Sequence, residues 1–180
     1  GVRQVLVEHY HFNDPDKRAH IQQMLLRAPG QNAIPIINYN DAASCEETRK
    51  MEIRRLMKTQ GSAVELVDND ETASQIAWLV HAGTLLILSG LDGIYRDLHD
   101  PSTLIREISG ATADEVIANI DETKKLCYGA SRAGANGASA KLEYIKPCVR
   151  QGTTVIIGSA NYDLAELLDG RAPATRIRVR

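Results

Sequence analysis

Two short Asn/Asp clusters carry side chains suited to holding a small polar molecule. Asn38-Tyr39-Asn40-Asp41 follows directly on the aliphatic run Ala33-Ile34-Pro35-Ile36-Ile37, and Asp68-Asn69-Asp70 follows Val64-Glu65-Leu66-Val67 at the mouth of a helical pattern. Amides both donate and accept while carboxylates only accept, so such a pair can bind the ammonium and the carboxylate of one amino acid. Each cluster alone equally suits a turn or an N-cap, and Asp70 with Thr72 could simply start the helix that follows. Two clusters at successive strand ends favour a shared site, because ligands in open α/β sheets collect beyond the carboxyl ends of strands.

Two glycine-bearing segments add a second kind of chemistry. Ser89-Gly90-Leu91-Asp92-Gly93-Ile94-Tyr95 follows the most aliphatic run of the chain, and its glycines allow a tight turn or a close approach of backbone to a ligand. Asp92-Gly93 is by itself a common turn. Gly134-Ala135-Asn136-Gly137-Ala138-Ser139-Ala140-Lys141 is a flexible entry to a helix, where unpaired N–H groups and an early lysine can cradle an anion. A cation so near a helix start opposes the helix dipole, a cost of a few tenths of a kcal/mol, roughly, that a bound phosphate reverses. Neither a G-x-x-x-x-G-K-[ST] loop nor a G-x-G-x-x-G fingerprint occurs.

Other candidates carry less. His9 and His11 stand two apart with no evident third ligand, so no metal site is assigned. No Ser/His/Asp or Cys/His nucleophile arrangement assembles. Trp78, between Ile76 and Leu79, reads as packing.

These residues need elements to hold them. Gln4-Val5-Leu6-Val7, Ala33 to Ile37, Thr84-Leu85-Leu86-Ile87-Leu88 and Thr153-Thr154-Val155-Ile156-Ile157 are short branched runs with polar or glycine boundaries, which predicts strands. Helices are expected between them. One starts at Asp14-Pro15, carries Ile21, Met24 and Leu25, and ends before Pro29-Gly30. Others cover 70–80, stopped by Gly83, and 112–126, where Thr112 and Glu115 have capping-box spacing; 138–149 and 163–168 are two more. Residues 45–60 form an inserted, charge-dense helix with only Ile53, Leu56 and Met57 as an apolar stripe. Strands alternating with helices predict an α/β fold: a mainly parallel sheet with helices on both faces, in a single domain over 1–180.

Composition agrees. Six Tyr, one Trp and one Phe are the only aromatics in 180 residues, so the core is aliphatic, as buried parallel strands require. A formal net charge of -2 gives no footprint for nucleic acid or an acidic membrane, and no apolar run is long enough to span one. Cys45, Cys127 and Cys148 are odd in number and far apart, which fits reduced thiols and a cytoplasmic location.

Taken in order, the segments resemble the amino acid kinase family, and within it the glutamate 5-kinase branch. Ile34-Pro35-Ile36-Ile37-Asn38-Tyr39-Asn40-Asp41 resembles I-P-I-I-N-E-N-D, and Val67-Asp68-Asn69-Asp70 with Ala73 resembles G-D-N-D-x-L-S-A. Leu86 to Tyr95 resembles L-L-L-T-D-x-D-G-L-Y, Gly134 to Lys141 resembles G-T-G-G-M-x-T-K, and Ala174-Thr175-Arg176-Ile177 resembles a closing G-T-x-F. The resemblance implies a three-layer sandwich and phosphorylation of the glutamate side-chain carboxylate by ATP with Mg2+, in proline synthesis. It further implies that Asp41 and Asn69 bind glutamate, with Asn38, Asp68 and Asp70 shaping the pocket. Ser89 and Gly90 would line the nucleotide site. Ala135, Asn136, Gly137, Ala138, Ser139, Ala140 and Lys141 would wrap the phosphates, with Lys141 catalytic. Homo-oligomeric assembly is expected.

The chain also departs from that pattern. Gly90 stands where the family has an aspartate that organises lysines and metal, Tyr39 replaces an acidic residue, and Asn136-Gly137-Ala138 replaces a tighter turn. The family's opening Lys-x-Gly-[Ser/Thr] strand has no counterpart, so the chain is expected to be a C-terminal portion of such a kinase. The alternatives are a uridylate or carbamate kinase of the same family, or a catalytically inactive binding fragment.

Overall fold

The four aliphatic runs all become strands, as their branched side chains and polar boundaries dictate. The computed structural model describes residues 1–40, 46–61, 69–126 and 137–180, and the chain forms two compact units, Gly1–Val80 and His81–Arg180. Asp41, Cys45, the run expected at 64–67, Asp68, Cys127, Gly134, Ala135 and Asn136 lie outside the described residues.

In the first unit β1 (Val2–Val7) and β2 (Ile34–Tyr39) pair in parallel, from Val2 opposite Ile34 to Val7 opposite Tyr39. Strand β2 runs two residues past the aliphatic segment, so Asn38 lies within it, not after it. The ladder continues because Tyr39 is buried among Val5, Val7, Phe12, Ile21, Leu25 and Leu79. The opposite face, with Val2, Leu6, Ile34 and Ile36, is exposed. A single turn, α1 (His9–Asn13), leads into α2 (Pro15–Arg27), whose first N–H groups are capped by the Asp14 carboxylate. The charge-dense helix α3 (Glu46–Gln60) forms as expected, with Ile53 buried and Met57 outward. Helix α4 (Asn69–Leu79) packs on β2, and the Gln22 amide donates to the Leu79 carbonyl at 2.7 Å. The residue that turns the chain after α4 is His81, in the left-handed region at φ 52°, and not Gly83.

The second unit is built on a four-stranded sheet in the order β3-β7-β8-β6: β3 (Thr84–Ser89), β7 (Thr154–Ser159), β8 (Ala174–Val179) and β6 (Glu107–Gly110). Pairing is parallel between β3 and β7 and between β6 and β8, and antiparallel between β7 and β8. A small antiparallel ribbon joins β4 (Ile94–Tyr95) to β5 (Leu104–Ile105). Every residue of β7 from Val155 to Ser159 is buried, because helices cover both faces. Ile156 packs with Leu167 of α8 (Leu164–Asp169), while α5 (Ala113–Leu126) and α7 (Lys146–Arg150) pack against the same sheet. The helix expected over 138–149 is two: α6 (Ala138–Tyr144) stops before α7 because Pro147 lacks an N–H and its ring would strike the carbonyl of Glu143 in a continuous helix. No helix among the described residues is long and apolar enough to cross a membrane.

Candidate functional site

In the first unit the carboxyl ends of β1 and β2 lie side by side, and each strand exits through a polar residue. The backbone N–H of Asn40 donates to the Val7 carbonyl at 2.9 Å, and its side-chain Nδ2 donates to Glu8 Oε1 at 2.7 Å. Glu8 is in turn fixed by α1. Its N–H donates to His11 Nδ1 at 2.8 Å, and the His11 N–H returns a bond to the Glu8 side chain. Burial lowers the His11 pKa below 6.5, against the raising influence of Glu8, so the imidazole is held neutral with Nδ1 as acceptor. Asn38 is exposed near the end of β2. Asn69 is exposed as the first residue of α4, with Asp70 half-buried beside it. Asn38 thus sits on β2 and Asn69 and Asp70 on α4, two elements that touch.

In the second unit β3 and β7 end in register, Ser89 opposite Ser159. The Ser89 hydroxyl donates to the Leu91 carbonyl at 2.8 Å and accepts from the Leu91 N–H at 3.1 Å, while Ser159 Oγ accepts from the Asn161 N–H. The Ala160 N–H donates to the Ser89 carbonyl at 3.0 Å, so the loops leaving both strands are stitched together. Gly90 is exposed, and a Cβ there would meet nothing within 4 Å. Gly93 has no such freedom, because it packs against Thr175 at the start of β8. Between them Asp92 accepts from the Tyr95 hydroxyl at 3.4 Å; burial first, then the Asp92 charge, raises the phenol's pKa. Gly137 caps the start of α6, its carbonyl accepting from the N–H groups of Ala140 and Lys141; Lys141 is half-buried. A charged lattice anchors this helix: Lys146 bonds Asp121 and Glu143 at 2.7 Å each, and Lys124 bonds Glu143.

Ser89, Gly90, Gly137, Ala138, Ser139, Ala140 and Lys141 thus lie in the second unit, and Asn38, Asn69 and Asp70 in the first. Sequence reading passed over Glu8 and the Ser159-Ala160-Asn161 loop. The signal for the loop was present, since it follows an aliphatic strand as Ser89 does. Glu8 showed only as an acid after β1.

Comparison with known proteins places these features in a family. A model described as the amino acid kinase family matches residues 2–159. The chain is 29% identical over 97% of its length to a protein named glutamate 5-kinase from Alkaliphilus metalliredigens, and covers 59% of that protein. It is 29% identical over 98% of its length to one of the same name from Herpetosiphon aurantiacus, covering 43% of it. The chain therefore spans roughly half the length of these relatives. A crystal structure from Aeropyrum pernix K1 superposes with a TM-score of 0.51 at 16% identity, covering 91% of this chain and 45% of the other, a likeness of fold alone. With the strand-end loops and the match over most of its length, the chain belongs to the amino acid kinase family.

Proposed function

We propose that the protein takes part in ATP-dependent phosphorylation of the glutamate side-chain carboxylate, with the first unit contributing to the acid site and the second to the nucleotide site. What supports this reading is Asn38 on β2 and Asn69 with Asp70 on α4, elements that touch, in a chain similar over most of its length to proteins named glutamate 5-kinase. Asn38, Asp41, Asp68, Asn69 and Asp70 would hold the amino acid, its ammonium meeting carboxylates and its α-carboxylate meeting amides. Ser89, Gly90 and the segment from Ala135 to Lys141 would hold the phosphates.

The reaction needs no covalent enzyme intermediate. A side-chain carboxylate oxygen attacks the γ-phosphorus in line, the bond to the β-phosphate oxygen breaks, and ADP leaves with that electron pair. The Lys141 ammonium and N–H groups at the start of α6 offset the charge spread over the transferring group. Mg2+ would be held mainly by the phosphate oxygens of the nucleotide, Asp92 on the loop after β3 has the chemistry to add a carboxylate, and the ion would supply neutralisation of phosphate charge.

The test is formation of glutamyl hydroxamate from glutamate, ATP and hydroxylamine, with UMP and aspartate as competing acceptors. Hydroxamate with glutamate alone supports the reading. Phosphorylation of UMP moves the protein to another branch of the family. A second reading, a binding protein without turnover, is favoured by Gly90, an exposed position of the loop after β3 that carries no carboxylate of its own. Ligand binding without hydroxamate would select it.

A further inference from the structure

We propose that the exposed basic face of α3 is an interaction surface, and that its partner is the acidic, leucine-bearing surface of α8 on a second copy of this chain. The proposal stands apart from the functional reading above. Lys50, Arg54 and Lys58 recur every fourth residue of α3, so they form one stripe along the helix. Met57 borders that stripe on one side, and Met51 and Arg55 border it on the other. All of these side chains are exposed, Met51 by 69% and Met57 by 49%, while Ile53 is buried. Like charges four residues apart repel one another and weaken a helix. Among the described residues no ion pair forms with Arg54, Arg55 or Lys58 to offset that repulsion. The stripe therefore gains most from a counter-charge supplied from outside, and flexible methionines along its edges suit it to docking.

The chain itself carries a complementary surface. Helix α8 exposes Leu164 by 60% and Leu168 by 46%, one turn apart, among Asp163, Glu166 and Asp169. Asp163 precedes the helix, is exposed, and makes no side-chain cap bond. Arg171 reaches Glu166 at 3.7 Å and Asp169 at 3.2 Å, but both pairs are exposed and hold little. The surface stays negative, since Arg171 offsets only part of the acid charge. Acids meet the α3 cations and leucines meet its methionines, so charge and apolar surface match together. A membrane is the poorer occupant, because the apolar residue that would enter it, Ile53, is already buried. Each copy offers both surfaces, so association closes on itself or continues from copy to copy. A fifteen-residue helix against one of six residues is a small contact, which gives a weak association, roughly micromolar in Kd.

Sedimentation velocity of the whole chain, with variants that reverse the charge of either surface, tests the contact. Wild type should form a larger species at about 0.05 M NaCl than at about 1 M, where the screening length falls to about 3 Å. Arg54→Glu with Arg55→Glu, and separately Asp163→Lys with Asp169→Lys, should each weaken that association about tenfold or more. Mixed in equal amounts, the two reversed proteins should associate as wild type does, because each reversed surface then meets its opposite. Should a reversed protein fail to fold, Leu164→Ser with Leu168→Ser, which removes apolar surface and no charge, must weaken association as well. A wild type whose size does not change with salt overturns the proposal. So do reversed proteins that associate as well as wild type, or a mixture that fails to recover. Binding to phosphatidylserine vesicles that needs Arg54 and Arg55, without self-association, would overturn it in favour of a membrane.

Discussion

A Cβ added at Gly93 would lie 2.4 Å from the Thr175 hydroxyl oxygen and 2.8 Å from its backbone nitrogen. The same hydroxyl accepts from the Ile94 N–H at 2.7 Å and donates to the Ile105 carbonyl at 2.7 Å. Two segments far apart in the chain, the loop after β3 and the start of β8, are thus locked through one fully buried side chain. The loop bearing Ser89 and Gly90 is held at its far end by this lock and at its near end by Ala160.

Gly93→Ala should destabilise the fold by about 2 kcal/mol or more, as overpacking into backbone does. Thr175→Val keeps the shape but strands a buried donor and acceptor, and should cost about 1–3 kcal/mol. Thr175→Ala in the Gly93→Ala background should recover part of the loss, since it removes the hydroxyl contact but not the one to backbone. Urea unfolding of wild type, Gly93→Ala, Thr175→Ala and the double variant measures the coupling.

The lattice of Asp121, Lys124, Glu143 and Lys146 makes a pH-dependent prediction. Hydrogen bonds from Lys124 and then Lys146 lower the Glu143 pKa below 4.5, and the bond from Lys146 lowers that of Asp121. A carboxylate with a depressed folded pKa binds fewer protons folded than unfolded. Its contribution is full above its ordinary pKa and is lost as pH falls through the lowered value. Glu143→Gln should therefore flatten the fall of stability below about pH 4.5 and, for partly exposed pairs, cost no more than about 1 kcal/mol at pH 7. Urea midpoints at pH 7 and pH 4 check both.

Lys141→Ala should reduce hydroxamate formation by about a hundredfold or more, the usual loss when one donor to a developing charge is removed. Melting temperature should change little, because α6 remains anchored through Glu143 and Lys146. An unchanged rate would remove Lys141 from the phosphate site.

Gly90→Asp should be tolerated without loss of stability, within about 0.5 kcal/mol, because the added side chain meets open space. If the missing carboxylate limits turnover, this variant should turn over faster than wild type in the hydroxamate assay. A slower variant would mean that the loop works through its backbone at this position.

What could be read from sequence was whatever one local signal determined. The run ending in Val155-Ile156-Ile157 announced β7 because both its faces are buried, and Asp14-Pro15 announced α2 because cap and first turn sit in adjacent residues. Strand β8 was hidden by its arginines: Arg176 reaches the Leu167 carbonyl, while Arg178 and Arg180 are drawn to Glu107, partners distant in sequence. Helix α1 was hidden because one turn has no periodicity, and its box uses Glu8 and His11 in place of a hydroxyl and an acid. Of the candidate site, the amide, acid and glycine segments were legible by type. The bond from Asn40 to Glu8 and the contact of Gly93 with Thr175 were not, since only the folded chain brings those residues together.

Thermal-shift titration with glutamate, ATP with Mg2+, and UMP tests most directly the proposal that this chain contributes both to an amino acid site and to a nucleotide site. A ligand at a hundred times its Kd adds about 2.7 kcal/mol by mass action. For a chain of this size that is a rise in Tm of roughly 5–11 °C. Glutamate and ATP should each give such a rise and UMP none; no rise with either, or a rise with UMP in place of glutamate, would contradict the account.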